Sequence, residues 1–110
     1  MNLRIKKIKT SDINFLKAWA YQSGQSNTSQ AVRESILETR MWAFENQEKT
    51  IISGYKISGN TYPNKRAIKA AGGMWLKKQK TWFVSDLGFF LQADLMMTGC
   101  KVETMFHDLS

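Results

Sequence analysis

Two helical repeats of apolar residues are separated by Gly24-Gln25-Ser26-Asn27-Thr28-Ser29, and that break limits what the first half of the chain can become. Before it, Ile13, Leu16, Trp19 and Ala20 recur on one face of a helix, with Thr10, Ser11 and Asp12 as N-terminal caps. After it, Val32, Ile36, Leu37, Met41 and Phe44 form a second stripe, on a helix expected from about Thr28 to Asn46. Gly24 stops the first helix. Asn27 is the expected N-cap of the second, with Gln30 completing a capping box, and Thr28 and Ser29 compete for the same role. A helix opening in this way presents free N–H groups and the positive end of its dipole. Asn27, Thr28 and Ser29 are therefore candidate phosphate contacts, with a plain surface cap as the alternative. Arg33, Glu34 and Glu38 read as an exposed charged face.

Ahead of the first helix, Leu3 and Ile5 alternate with Asn2, Arg4 and Lys6, the period of a half-buried strand, which Ile8 interrupts. Strand, helix, glycine turn, helix is the order of the ribbon-helix-helix repressors. The turn Gly24-x-x-Asn27-x-Ser29-Gln30-Ala31-Val32-Arg33-Glu34 resembles that of their nickel-responsive branch, with Gln30 in place of the usual acid. The resemblance covers residues 2–46. It implies that two chains pair this strand into an antiparallel ribbon that enters the DNA major groove, which is wide enough to admit one. Asn2, Arg4 and Lys6 would then contact bases, and Lys7 and Lys9 phosphates. It also implies an intertwined homodimer, in keeping with a segment too short to bury an adequate core alone. Without the turn motif, the same residues read as a solvated basic edge strand.

The formal net charge of +7 and pI of about 9.7 suit nucleic acid, an anionic surface or an acidic protein as partner. The single Cys100 cannot form an internal disulfide, and neither a signal peptide nor a long apolar run is evident, so a cytoplasmic protein without membrane association is expected. One histidine, His107, and one cysteine exclude an ordinary zinc site and the nickel response of the repressor branch, so no metal or cofactor is expected.

The composition changes after residue 48. From Lys49 to Ser85 there are eight Lys and Arg and no acid. Ile51–Ile57 reads as a strand and Ser58-Gly59-Asn60 as a turn. A helix is expected from Pro63 to Gly72-Gly73, then a hairpin of Met74–Leu76 and Thr81–Val84 around Lys77-Lys78-Gln79-Lys80. A last helix is expected from Ser85 or Asp86 to Gly99, and Lys101–Phe106 leaves room for a final short strand. The expected fold is α+β: a ribbon-helix-helix half over residues 1–48 and a small β-α-β-β-α module over residues 49–110. The string Tyr62-Pro63-x-Lys65-x-x-Ile68-Lys69-x-x-Gly72-Gly73-x-Trp75, followed by Lys80-x-Trp82-x-Val84, resembles a small module of phage and plasmid proteins and, more distantly, the HARP repeat of DNA-annealing helicases. Met74 and Leu76 depart from that pattern, and the link to nucleic acids is one of analogy. On the residues themselves, Lys65, Arg66, Lys69, Lys77, Lys78 and Lys80 supply positive charge, and Tyr62, Trp75 and Trp82 are interleaved rings able to stack on bases. All of these except Trp82 are the candidate contacts of the second module, to nucleic acid or to a protein partner. A core position is the other reading of both tryptophans, and it is the stronger one for Trp82.

Glycine-rich phosphate loops, paired catalytic carboxylates and a base–nucleophile pair are all missing, so an enzyme is not expected. The expected function is sequence-specific binding of double-stranded DNA, as a transcriptional repressor or regulator of phage or plasmid type. Two alternatives stay open. One is a protein-interaction module, either an antitoxin or a phage inhibitor of a host protein. The other is a single-stranded nucleic-acid binder acting through residues 55–84.

Overall fold

A computed structural model describes residues 7–22 and 28–109. The chain divides into two units, one of residues up to Ile52 together with those from Phe106 onward, the other Ser53–Met105. The expected base-reading strand, with Asn2, Arg4 and Lys6, lies outside the described residues, as does Asn27.

In the first unit, helix α1 spans Thr10–Ala20 and α2 spans Gln30–Glu45. The N-cap of α1 is Lys9, one residue before the expected caps, and its N–H donates to Asp12 Oδ2 at 3.0 Å. Asp12 therefore caps the first turn from inside it. Ile13, Leu16, Trp19 and Ala20 are all buried, as their spacing predicts. Helix α2 opens at Gln30 with Ser29 as N-cap, and packs against α1. Ile36, Leu37 and Ala43 supply its buried positions, with Val32, Met41 and Phe44 only partly covered.

Arg33 corrects the sequence expectation of an exposed charged face. It is 4% exposed, and its guanidinium donates to three backbone carbonyls: Nε to Ala20 O at 3.4 Å, Nη2 to Gln22 O at 3.3 Å, and Nη1 to Thr28 O. The reason is positional. Residue 33 lies three and four places before Ile36 and Leu37, on the inward stripe of α2. There it meets the Ala20 and Gln22 carbonyls, which the end of α1 leaves without helical partners, and the Thr28 carbonyl ahead of α2, and its forked donors reach all three at once.

The described residues form an α+β fold of four helices and one four-stranded antiparallel sheet in the order β2-β3-β1-β4. Strand β1 is Thr50–Gly59, α3 is Lys65–Ala70 after a 3₁₀ turn at Tyr62–Asn64, β2 is Met74–Leu76, β3 is Thr81–Val84, α4 is Phe89–Met97 and β4 is Cys100–Asp108. This differs from the expected separate halves ending in β-α-β-β-α. The tail is a full strand, longer than the short option read from Lys101–Phe106, and α3 and α4 are interleaved with the strands of one sheet. Gly99, at φ +89°, reverses the chain after α4. β4 then covers the edge that β1 would otherwise expose.

In the second unit, β1 pairs with β3 through Tyr55 with Val84, Lys56 with Phe83 and Ile57 with Trp82. β3 pairs with β2 through Phe83 with Met74, Trp82 with Trp75 and Thr81 with Leu76. Strand alternation puts Tyr55, Ile57, Trp82 and Val84 on one face, and all four are buried. Ile68 of α3, Leu87, and Ala93 and Leu95 of α4 are buried too. Each large aliphatic so buried contributes about 1.5–3 kcal/mol. Helix α4 starts later than expected, at Phe89, with Gly88 as its N-cap in an extended conformation, and Leu87, only 1% exposed, is buried ahead of it.

The Gly72-Gly73 pair ends α3 for two separate reasons. Gly72 takes φ +90°, the left-handed conformation that terminates a helix. Gly73 has no room for a side chain: a Cβ there would lie 2.6 Å from Ile68 Cγ2 and 2.7 Å from Ile68 O.

Arg33→Ala should leave three carbonyls short of their donor and lower stability by roughly 1–3 kcal/mol, and Arg33→Lys should restore only part because an ammonium lacks the fork. Urea unfolding followed by far-UV circular dichroism measures both.

Candidate nucleic-acid interface

The site is built on the 3₁₀ turn, α3 and the β2–β3 hairpin. Pro63 fits the first turn of a helical segment because it has no N–H to leave unpaired, so the chain enters α3 directly from Tyr62–Asn64. Polar side chains hold this entry. Asn64 Nδ2 donates to Thr98 Oγ1 at 2.9 Å and to Cys100 Sγ at 3.5 Å. The Cys100 thiol donates to Asn60 O at 3.3 Å, and Asn60 Nδ2 to Thr98 O at 3.4 Å. Burial pushes the Cys100 thiol pKa up, opposed by the Asn64 contact, so the sulfur stays a neutral thiol at pH 7. This cluster ties the segment bearing Tyr62 to the α4–β4 connection.

On that support an open cleft of about 360 Å³ is lined by Thr61, Tyr62, Lys65, Lys69, Trp75 and Trp82. Tyr62 is 83% exposed. Lys65 and Lys69 lie one turn apart on α3, with Cβ atoms ~5–6 Å apart by helix geometry. Trp75 is 48% exposed and Trp82 only 7%. The two indoles are cross-strand neighbours, with ring centroids 5.3 Å apart and planes at 58°. Trp82 thus belongs to the core and backs Trp75, whose ring is left partly open to solvent.

Of the eight candidate contacts in this half, the cleft brings together Tyr62, Lys65, Lys69 and Trp75. Arg66 follows Lys65 on α3 and turns away from its stripe. Lys77, Lys78 and Lys80 are exposed in the β2–β3 connection and do not line the cleft. Lys80 has φ +52°. Gln79 N–H donates to Leu76 O at 3.2 Å, so a turn is followed by one left-handed residue before β3, a place where glycine is usual. Thr61 joins the cleft without being expected there, since a lone hydroxyl carries no sequence signal for a site.

In the first unit, Lys9 is exposed at the start of α1 and Ser29 is exposed as the N-cap of α2. Thr28 is half-buried, and its carbonyl accepts from Arg33. Lys7 lines a polar cleft of about 290 Å³ with Phe44, Glu45, Asn46, Gln47, Glu48 and Lys49. Two carboxylates there oppose a purely phosphate-directed role for Lys7. No group of His, Cys, Asp and Glu suited to a metal ion occurs among the described residues, and none of their helices is long and apolar enough to cross a membrane. Comparisons with protein-family models, with curated proteins and with solved structures found no match.

Lys80→Gly should relieve the left-handed strain and raise stability by about 1 kcal/mol, whereas Lys80→Ala, which keeps the strain, should not. Paired thermal melts of the two variants check this.

Proposed function

We propose that the protein binds nucleic acid and that the cleft of the second unit is its principal contact. The observation that carries this reading is the convergence of two solvent-facing rings, Tyr62 and Trp75, with two lysines one helical turn apart. Proteins that hold nucleic-acid strands combine these parts: cations for the phosphates and aromatic faces for the bases. The surrounding charge acts in the same direction. Ser53–Met105 holds eight basic and three acidic residues. Arg66 and the hairpin lysines Lys77, Lys78 and Lys80 extend the positive field that speeds encounter with a polyanion. Lysines and aromatic rings make up all of the cleft lining but Thr61, the side-chain types that neutralise phosphates and stack on bases.

A second reading concerns the first unit. The packed pair α1–α2 supports keeping the ribbon-helix-helix expectation there, with Asn2, Arg4 and Lys6 against duplex DNA in a homodimer and transcriptional regulation as the role. Under that reading, loss of one Arg4 base contact should cost roughly 1–3 kcal/mol on a selected duplex, so Arg4→Ala in a dimer with independent half-sites should cost about double that, and little on random DNA, by competition gel shift.

For the cleft, affinity for a labelled strand should fall steeply with salt. The double variant Lys65→Gln/Lys69→Gln should weaken binding at low salt. It should also shallow the slope of log K against log salt by about 0.7–0.9 for each phosphate no longer neutralised. Fluorescence anisotropy across a salt series measures both. An unchanged slope in the double variant would remove the cleft as the phosphate-binding surface.

A further inference from the structure

The form of nucleic acid follows from the rings. In a duplex, each base is covered above and below by its neighbours, and a protein side chain meets base edges and backbone. An aromatic ring with an open face is matched instead by a base whose own face is free. Trp75 is such a ring: it is 48% exposed, while Trp82 lies 5.3 Å from it at 58° and belongs to the core. Its position is fixed twice, by the backbone register of β2 on β3 and by that ring pair, so little freedom remains to be given up on binding. The cleft, at about 360 Å³, sits at the lower end of the ~300–1,000 Å³ of small-ligand sites, which suits one nucleotide better than a run of them.

Resting on the nucleic-acid reading above, we propose that the cleft seats an unpaired nucleobase on Trp75, with Tyr62 beside it and the flanking phosphates on Lys65 and Lys69. The preferred substrate is single-stranded nucleic acid. Sequence preference is weak, because the Thr61 hydroxyl is the one neutral hydrogen-bonding side chain lining the cleft apart from the aromatic residues themselves. Stacking accepts any base, since every base has a π face.

The test uses the full chain and three probes of equal strand length: oligo-thymidylate, the same strand annealed to its complement, and an abasic strand carrying the same phosphates. The expected order is single strand tightest, with duplex and abasic strand each weaker by on the order of 10-fold or more. Trp75→Ala and, separately, Tyr62→Ala should bring the single strand toward the abasic level, so that the ratio of the two affinities collapses, and Trp75→Phe should restore part of the difference. Tyr62 is 83% exposed, so its variant reads the site without loading the fold. Equal affinity for all three probes, still dependent on Lys65 and Lys69, would overturn the base seat and leave nucleic-acid binding standing. Binding to none of the three would overturn both, and a protein partner would then be the reading to pursue.

Discussion

The second unit is assembled against one side chain, the indole of Trp82. It lies directly across from Ile57 on β1 and Trp75 on β2, so one residue links the middle of the sheet to its edge. An aromatic ring of this size buries roughly 150–250 Å² and dominates the packing around it. One part of Trp82 closes the core with Tyr55, Ile57 and Val84. Another backs the ring of Trp75. Core and cleft therefore share a wall. A change that loosens Trp82 costs stability and cleft geometry together, whereas Tyr62, Lys65 and Lys69 come from the 3₁₀ turn and α3.

Where apolar packing gives out, both units use polar side chains to fix chain reversals. In the first, the Arg33 guanidinium gathers carbonyls from before and after the break between the helices. In the second, Asn60, Asn64, Thr98 and Cys100 connect the entry of α3 to the exit of α4. Such bonds add little net stability each, and leaving a buried partner unpaired is costly, which weighs on the Arg33 bond to Ala20 O more than on the exposed Asn60 and Asn64 bonds to Thr98.

Much of the fold is legible locally. The four inward residues of α1, the hairpin around Lys77–Lys80 and the glycine end of α3 each carry their own signal in spacing or turn chemistry. Arg33 does not, because charge reads as exposure although the residue sits on the inward stripe. Its backbone partners are Ala20, the last residue of α1, and Gln22 and Thr28 of the connection to α2, and no periodicity announces them. The extent and pairing of β4 are also hidden. Val102 and Thr104 alternate with Lys101 and Glu103, but the strand they pair with lies some forty residues away. For the site, composition names eight residues, and geometry sorts them. The helical turn keeps Lys65 with Lys69 and rotates Arg66 off, and the strand register sets Trp75 against Trp82.

The two glycines after α3 also bear on how this unit could be recognised elsewhere. Written side by side they look like one signature, yet they tolerate different things. A side chain at 72 would meet open space and faces only the left-handed backbone, which asparagine adopts readily. A side chain at 73 runs into Ile68 whatever its chemistry. A search pattern that demands both glycines equally would discard true relatives that differ at the first. One that fixes the second, together with a branched aliphatic five residues before it, describes the physical constraint and not its accidental spelling.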